Sequence, residues 1–159
     1  MSHTDPSLSP LVALLGQAER ERDDAVGHAR RAETAHAAAQ GQAEQLVAYR
    51  LDYEGRYREK FSRQASIDQF QTYQGFMGRL SLAVDQQQLV VDNAARRVEA
   101  ARAVVREQEL RVASVRKLIE RRLAELRLAA DRRDQKQTDE FASRAAWNRL
   151  NEDRLSASA

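Results

Sequence analysis

The chain has no cysteine, two prolines, six glycines and only 6% aromatic residues in its 159 positions. Without cysteine there is no disulfide framework, no thiol nucleophile and no thiolate metal site. That composition suits the cytoplasm. So few prolines leave long uninterrupted helices open. Scarce aromatics argue against a large compact core. A long helical hairpin needs no such core, because it buries a stripe and leaves the rest wet. No stretch approaches the roughly 20 apolar residues of a membrane span. The N-terminus lacks the basic segment and apolar run of a signal peptide. Charged residues are 31% of the chain, yet the formal net charge is only +2 with both signs interleaved. A nucleic-acid-binding arm is therefore not expected, although the pI is near 9.2. Catalytic motifs are also missing: no Gly-rich phosphate loop, no HExxH and no EF-hand spacing. His3, His28 and His36 lie too far apart along the chain to suggest a metal site. The expectation is a protein that is not an enzyme and has no cofactor and no metal.

What is present is a heptad repeat. Val84, Val91, Val98, Val105 and Val112 recur every seven residues, preceded by Met77 and followed by Ile119 and Leu126. A seven-residue apolar repeat of this length keeps one seam facing a partner helix and imposes a supercoil. The earlier half of the chain supplies a complementary series. With Leu15 as position a, the a series runs Leu15, Arg22, Ala29, His36, Ala43, Arg50 and Tyr57. The d series runs Leu11, Ala18, Ala25, Ala32, Ala39, Leu46 and Tyr53. Alanine is the best helix former, and its small side chain lets two backbones approach closely. Arg22, His36 and Arg50 read as polar residues that help set the register, with the arginine stems covering the seam. Gly16, Gly27, Gly41 and Gly55 each weaken the helix by about 1 kcal/mol and predict local bending rather than a break.

The expected fold is all-α: a single long two-helix antiparallel coiled-coil hairpin, with the second helix extending beyond the first. Residues 1–10 read as a frayed lead-in, with Ser9 and Pro10 as N-cap and N1. Helix one is expected over about 10–62, a turn over about 63–68, helix two over about 69–150 and a disordered tail over 151–159. Ser66 with Gln69 resembles a capping box. Folding the chain back at Ala65 pairs residues whose numbers sum to 130. Ala18 then meets Val112, Ala25 meets Val105, Ala32 meets Val98 and Ala39 meets Val91. A slip of one heptad would also give alanine–valine layers, so two registers fit the seam. Beyond Leu126 the second helix has no partner left in the first.

The larger residues concentrate near the turn. Gln42, Leu46, Tyr49 and Tyr53 form one stripe on helix one, and Phe76, Leu80, Ala83 and Gln87 form one on helix two. In an antiparallel pair the g edges face one another, so both stripes fall on the same side. Leu46, Tyr53 and Leu80 are equally well read as seam residues. Tyr49 and Phe76, at edge positions, point to a protein interface.

At these residues the sequence resembles the flagellar FliJ family, a small cytoplasmic component of the type III export apparatus. The resemblance rests on Leu46-x-x-Tyr49-x-x-x-Tyr53 and on Phe76-x-x-x-Leu80-x-x-Ala83 with Asp85-Gln86-Gln87. It continues through Val98-Glu99-x-x-Arg102, Lys117-Leu118-x-Glu120-Arg121 and Asp139-Glu140-x-Ala142. It implies a stalk-like protein that couples the export ATPase hexamer to the cytoplasmic domain of the export-gate membrane protein and escorts export chaperones. It also implies a cytoplasmic location, peripheral to the inner membrane at the flagellar base, with no membrane span of its own. Carried over by position, the gate-binding surface would be Gln42, Leu46, Tyr49, Tyr53, Phe76, Leu80, Ala83 and Gln87. Gln87 stands where some members are expected to have histidine, which removes a group that titrates near neutrality. The stalk reading would send Leu8–Arg22 and Lys117–Arg133 into the ATPase ring, with Arg116, Arg121, Arg122 and Arg127 as contacts. A solvated basic face is the plain alternative for these arginines. The rival readings of the whole chain are a generic coiled-coil scaffold or chaperone, and the equivalent stalk of a virulence type III secretion system.

Overall fold

The computed structural model describes residues 5–64 and 66–159. Two helices account for nearly all of them: α1 (Ser9–Arg63) and α2 (Ile67–Ala157). Among the described residues there is no strand. No helix there is long and apolar enough to cross a membrane. The glycines leave both helices unbroken, and no described glycine has positive φ.

The helix ends correct several expectations. Asp5, not Ser9, caps the start. The Ser7 N–H donates to the Asp5 carboxylate at 2.8 Å, and the Leu8 N–H donates to the Asp5 carbonyl at 2.9 Å. A 3-10 turn, Pro6–Leu8, therefore leads into α1, with Leu8 buried. Proline early in the turn costs no hydrogen bond, since the first N–H groups lack helical partners. Residues 5–8 of the expected frayed lead-in are therefore ordered, and residues 1–4 lie outside the described residues. At the other end, Ser66 caps α2. Its hydroxyl accepts from the Gln69 N–H at 3.2 Å and its carbonyl from the Phe70 N–H at 3.1 Å. This is the forward half of the expected capping box. The connection is shorter than expected, and the fold-back point Ala65 lies outside the described residues. The tail over 151–159 is not irregular: α2 continues to Ala157. No glycine or proline interrupts it, and the Ser156 hydroxyl donates back to the Asp153 carbonyl at 2.9 Å.

The chain divides into two compact units. The first comprises Gln17–Val112. Here α1 and α2 run antiparallel, because cross-helix partners climb on one helix as they fall on the other. Arg111 pairs with Glu21 at 2.6 Å, Arg102 with Glu33 at 3.1 Å, and Gln87 with Gln42 at 3.3 Å. Tyr57 lies against Tyr73 with ring centroids 4.5 Å apart. Tyr57 and Tyr73 sum to 130 and Gln42 and Gln87 to 129, so these contacts keep the register obtained by folding at Ala65. A slipped register would shift the sum by a full heptad. Ala18, Ala25, Ala29 and Ala39 are buried against a seam that includes Leu80, Val91, Val98 and Val112. Every member of the valine series is buried or half-buried. A fully buried valine contributes about 1.5–3 kcal/mol, so this series is the main apolar support of the unit. The exposed ion pairs contribute only about 0–1 kcal/mol each.

The second unit comprises Met1–Gly16 with Ala113–Ala159. Leu8 and Val115 are buried in it, while Ile119 and Leu126 are half-buried. Beyond Leu126 only Ala130 and Ala145 escape full exposure. That is the composition of an overhang: its a positions become Arg133 and Glu140.

Candidate protein-binding site

Four aromatic residues on α1 are spaced by four: Tyr49, Tyr53, Tyr57 and Phe61. Three on α2 are spaced by three: Phe70, Tyr73 and Phe76. Both spacings return to the same helix face, one turn apart. The antiparallel pairing brings the two faces together. Tyr53 meets Phe76 at a centroid distance of 4.4 Å, and Tyr57 stacks on Tyr73. Phe61 packs edge-on against Phe70 at 5.9 Å and against Tyr73 at 5.4 Å. Tyr49 stacks on Tyr53 at 5.9 Å and closes the row. All four tyrosines and three of the four phenylalanines thus form one continuous stack beside the connection. Ring pairs of this kind contribute about 0.5–1.5 kcal/mol beyond their buried area.

The stack has a polar spine. The Tyr53 hydroxyl donates to the Tyr57 hydroxyl at 2.9 Å. That bond favours the neutral phenol, and partial loss of hydration and the neighbouring tyrosines act in the same direction. Together they push the Tyr53 pKa up to about 12. Lys60 lies 5.8 Å from the Tyr57 ring centre, within cation–π range.

The eight residues expected to form a surface divide into four sets. Gln42 and Gln87 are joined directly, and the Gln87 amide also donates to the Ala39 carbonyl at 3.1 Å. Tyr53 and Phe76 are joined by ring contact, so the two stripes meet across the helix pair at two levels. Leu80 is buried and belongs to the seam, while Leu46 and Ala83 are half-buried. Tyr49 is the large side chain most available to a partner, at 49% exposure. Phe70, at 46%, offers a second exposed ring that was not anticipated. Tyr57, Phe61, Phe70 and Tyr73 were all missed as site residues. The regular spacing of aromatics in an otherwise aromatic-poor chain is the signal that points to them.

The expected arginine contacts lie in the other unit. Arg122 is held: its guanidinium donates to the Glu125 carboxylate at 3.1 Å and to the Ser7 hydroxyl at 3.4 Å. The Asp5 carboxyl is lowered below its usual pKa, first by its hydrogen bonds from Ser7 and then by the charges of Arg122 and Arg133. Arg116, Arg121 and Arg127 are exposed on α2. Among the described residues, no group of three His, Asp or Glu side chains could hold a metal ion. The argument about His3 lies outside those residues.

An aromatic-tipped antiparallel helix pair with a longer second helix invites comparison with known proteins. The family model described as flagellar FliJ protein matches residues 7–151. The chain belongs to the flagellar FliJ protein family. Two relatives named flagellar FliJ protein show how far the likeness extends. The Salmonella typhi protein is 32% identical over 146 residues, covering 87% of this chain and 95% of its own. The Escherichia coli (strain K12) protein is 31% identical over 146 residues, with the same coverage. Membership makes this an export-related flagellar protein with a coiled-coil fold.

Proposed function

We propose that the chain is a non-enzymatic, stalk-like component of the flagellar export apparatus. It couples the export ATPase hexamer to the cytoplasmic domain of the export gate, and it escorts export chaperones. It works at the cytoplasmic face of the inner membrane, at the flagellar base. The gate meets the aromatic face, through Tyr49, Tyr53 and Phe76 with Gln42, Leu46, Leu80, Ala83 and Gln87 around them. The ATPase ring receives Leu8–Arg22 and Lys117–Arg133, with Arg116, Arg121, Arg122 and Arg127 as contacts.

The observation that carries this reading is the aromatic stack. A coiled coil that needed only to hold two helices together would place its rings inside the seam. Here Tyr49 and Phe70 remain about half exposed at the edge of a platform of mutually packed rings. Rigid, partly exposed aromatics make effective anchors in protein interfaces, because little conformational freedom is lost on binding. The family match supplies the export context.

Two experiments test the two surfaces separately. Motility and export are measured for Tyr49→Ala and for the Tyr49→Ala, Phe76→Ala double variant, with helicity followed by circular dichroism. The reading requires lost export with helicity retained, and Tyr49→Ala alone separates binding from packing. Normal export in the double variant would reduce the platform to tip packing. For the ring, Arg121→Glu with Arg127→Glu should reduce stimulation of the ATPase. These are better probes than Arg122, which already has partners within its own unit. Unchanged stimulation would remove the ring assignment.

A further inference from the structure

The valine series is not the only seven-residue series on α2. Leu82, Leu89, Arg96, Ala103 and Leu110 occupy successive f positions, directly opposite the seam. This should be the wettest face of the coil, and in a two-stranded coil it is ordinarily polar. Leu82, Leu89 and Leu110 are 57%, 65% and 70% exposed. Val90 and Val104, at the neighbouring g positions, are exposed as well. Gln86, Asn93, Ala100 and Glu107 lie between the f and g rows. The apolar residues therefore recur at i, i+1 and i+7, on a face that a two-stranded coil alone has no use for.

Single exposed leucines need no explanation. Three at multiples of seven on the outward face do, because a heptad row keeps its alignment only with another helix. We propose that the Leu82–Leu110 face of α2 docks an amphipathic α-helix of a different protein. That helix carries apolar residues at seven-residue spacing and a carboxylate level with Arg96 and Arg97.

The two arginines choose the occupant. Arg96 interrupts the leucine row at its centre, and its guanidinium donates to the Asn93 side chain at 2.8 Å. Arg97 follows it at g and is also exposed. A second copy of the chain that keeps all three leucines on apolar partners is a poor fit in either direction. Parallel pairing places Arg96 beside Arg96. Antiparallel pairing that matches Leu82 to Leu110 and Leu89 to Ala103 centres on residue 96 and again places Arg96 on Arg96. Like charges at the centre of an apolar contact oppose association, whereas a carboxylate there fixes partner and register together. None of the f-row residues belongs to the eight assigned to the gate; of the g residues beside them only Ala83 does, so the site from Leu89 to Leu110 is separate from that reading.

The test uses the full chain in flagellated cells. Leu89 or Leu110 is replaced by the photoreactive residue p-benzoylphenylalanine, and cross-linked peptides are sequenced by mass spectrometry. Both positions should report the same partner. The cross-linked segment should be one helix with apolar residues seven apart and an Asp or Glu between the two attachment points. Arg96→Glu with Arg97→Glu should abolish the adduct, while Tyr49→Ala should leave it. Circular dichroism checks that the charge-reversed chain remains helical. Cross-linking to a second copy of the chain, absence of any adduct, or an adduct that survives the charge reversal would overturn the proposal.

Discussion

Two stretches of the helix pair meet in different ways. From Ala18 to Ala39 the first helix presents alanine, and the second answers with valine. From Tyr49 to Phe61 it presents rings, and rings answer. The alanine–valine layers repeat every seven residues, so moving one helix by a heptad replaces each layer with a similar one. Burial alone does not choose between those positions. The rings differ in kind and spacing, and they interlock only once: Tyr53 with Phe76, Tyr57 with Tyr73, Phe61 with Phe70. The alanine–valine layers thus provide cohesion and close approach, and the tip adds a contact that fits one register. The register in turn decides which residues share a surface. In the register that the rings share, Gln42 reaches Gln87.

The largest effect should come from breaking the clasp. Tyr57 contacts Tyr53, Phe61 and Tyr73. Tyr57→Ala should lower stability by about 2 kcal/mol, less than the ~3–5 of a fully buried aromatic because the ring is half-buried. Thermal or urea unfolding reads the loss. Improving the seam should do the opposite. Gln108 occupies a half-buried d position and its side-chain oxygen is buried without a protein partner. Gln108→Leu should raise stability by about 1 kcal/mol, read as a higher denaturation midpoint. Gly55→Ala should add about 1 kcal/mol of helix propensity, since a Cβ there meets nothing within 4 Å.

Smaller effects sharpen the contrast. The Tyr53 pKa is raised, so its neutral form is favoured in the folded chain. Its contribution is complete below pH 10 and is lost as the pH rises from there to about 12. Phenolate absorbance should show one tyrosine titrating late, and Tyr57→Phe should move that titration earlier, because the phenol then loses its partner. Trp147→Ser, in the exposed overhang, should change stability by less than about 0.5 kcal/mol.

Much of this was legible in the residues. The valine heptads and the alanine series fixed the architecture and the antiparallel pairing, because period and size alone determine which faces can be buried. Ser66 was legible as a cap because it is a local signal. The start of α1 was misread because two capping signals compete there: Ser9-Pro10 is the familiar one, and Asp5 with Pro6 is the one used. The tail was misread because nothing in Asn151–Ala159 stops a helix already under way. The site was half legible. Tyr49, Tyr53 and Phe76 stood out through heptad position, yet Tyr57 was absorbed into the a series. Tyr73, Phe61 and Phe70 were lost near a turn whose place was uncertain by several residues. Their association depends on contacts between distant parts of the chain, which spacing suggests but does not decide.

The most direct test of the clasp is disulfide formation between cysteines placed on the two helices. Ala25→Cys with Val105→Cys should cross-link readily, while Ala25→Cys with Val98→Cys or Val112→Cys should not. Adding Tyr53→Ala, Tyr57→Ala and Phe61→Ala, which together remove every ring pair across the two helices, should let the out-of-register pairs form. If those pairs stay silent in that chain, the seam sets its own register and the clasp does not.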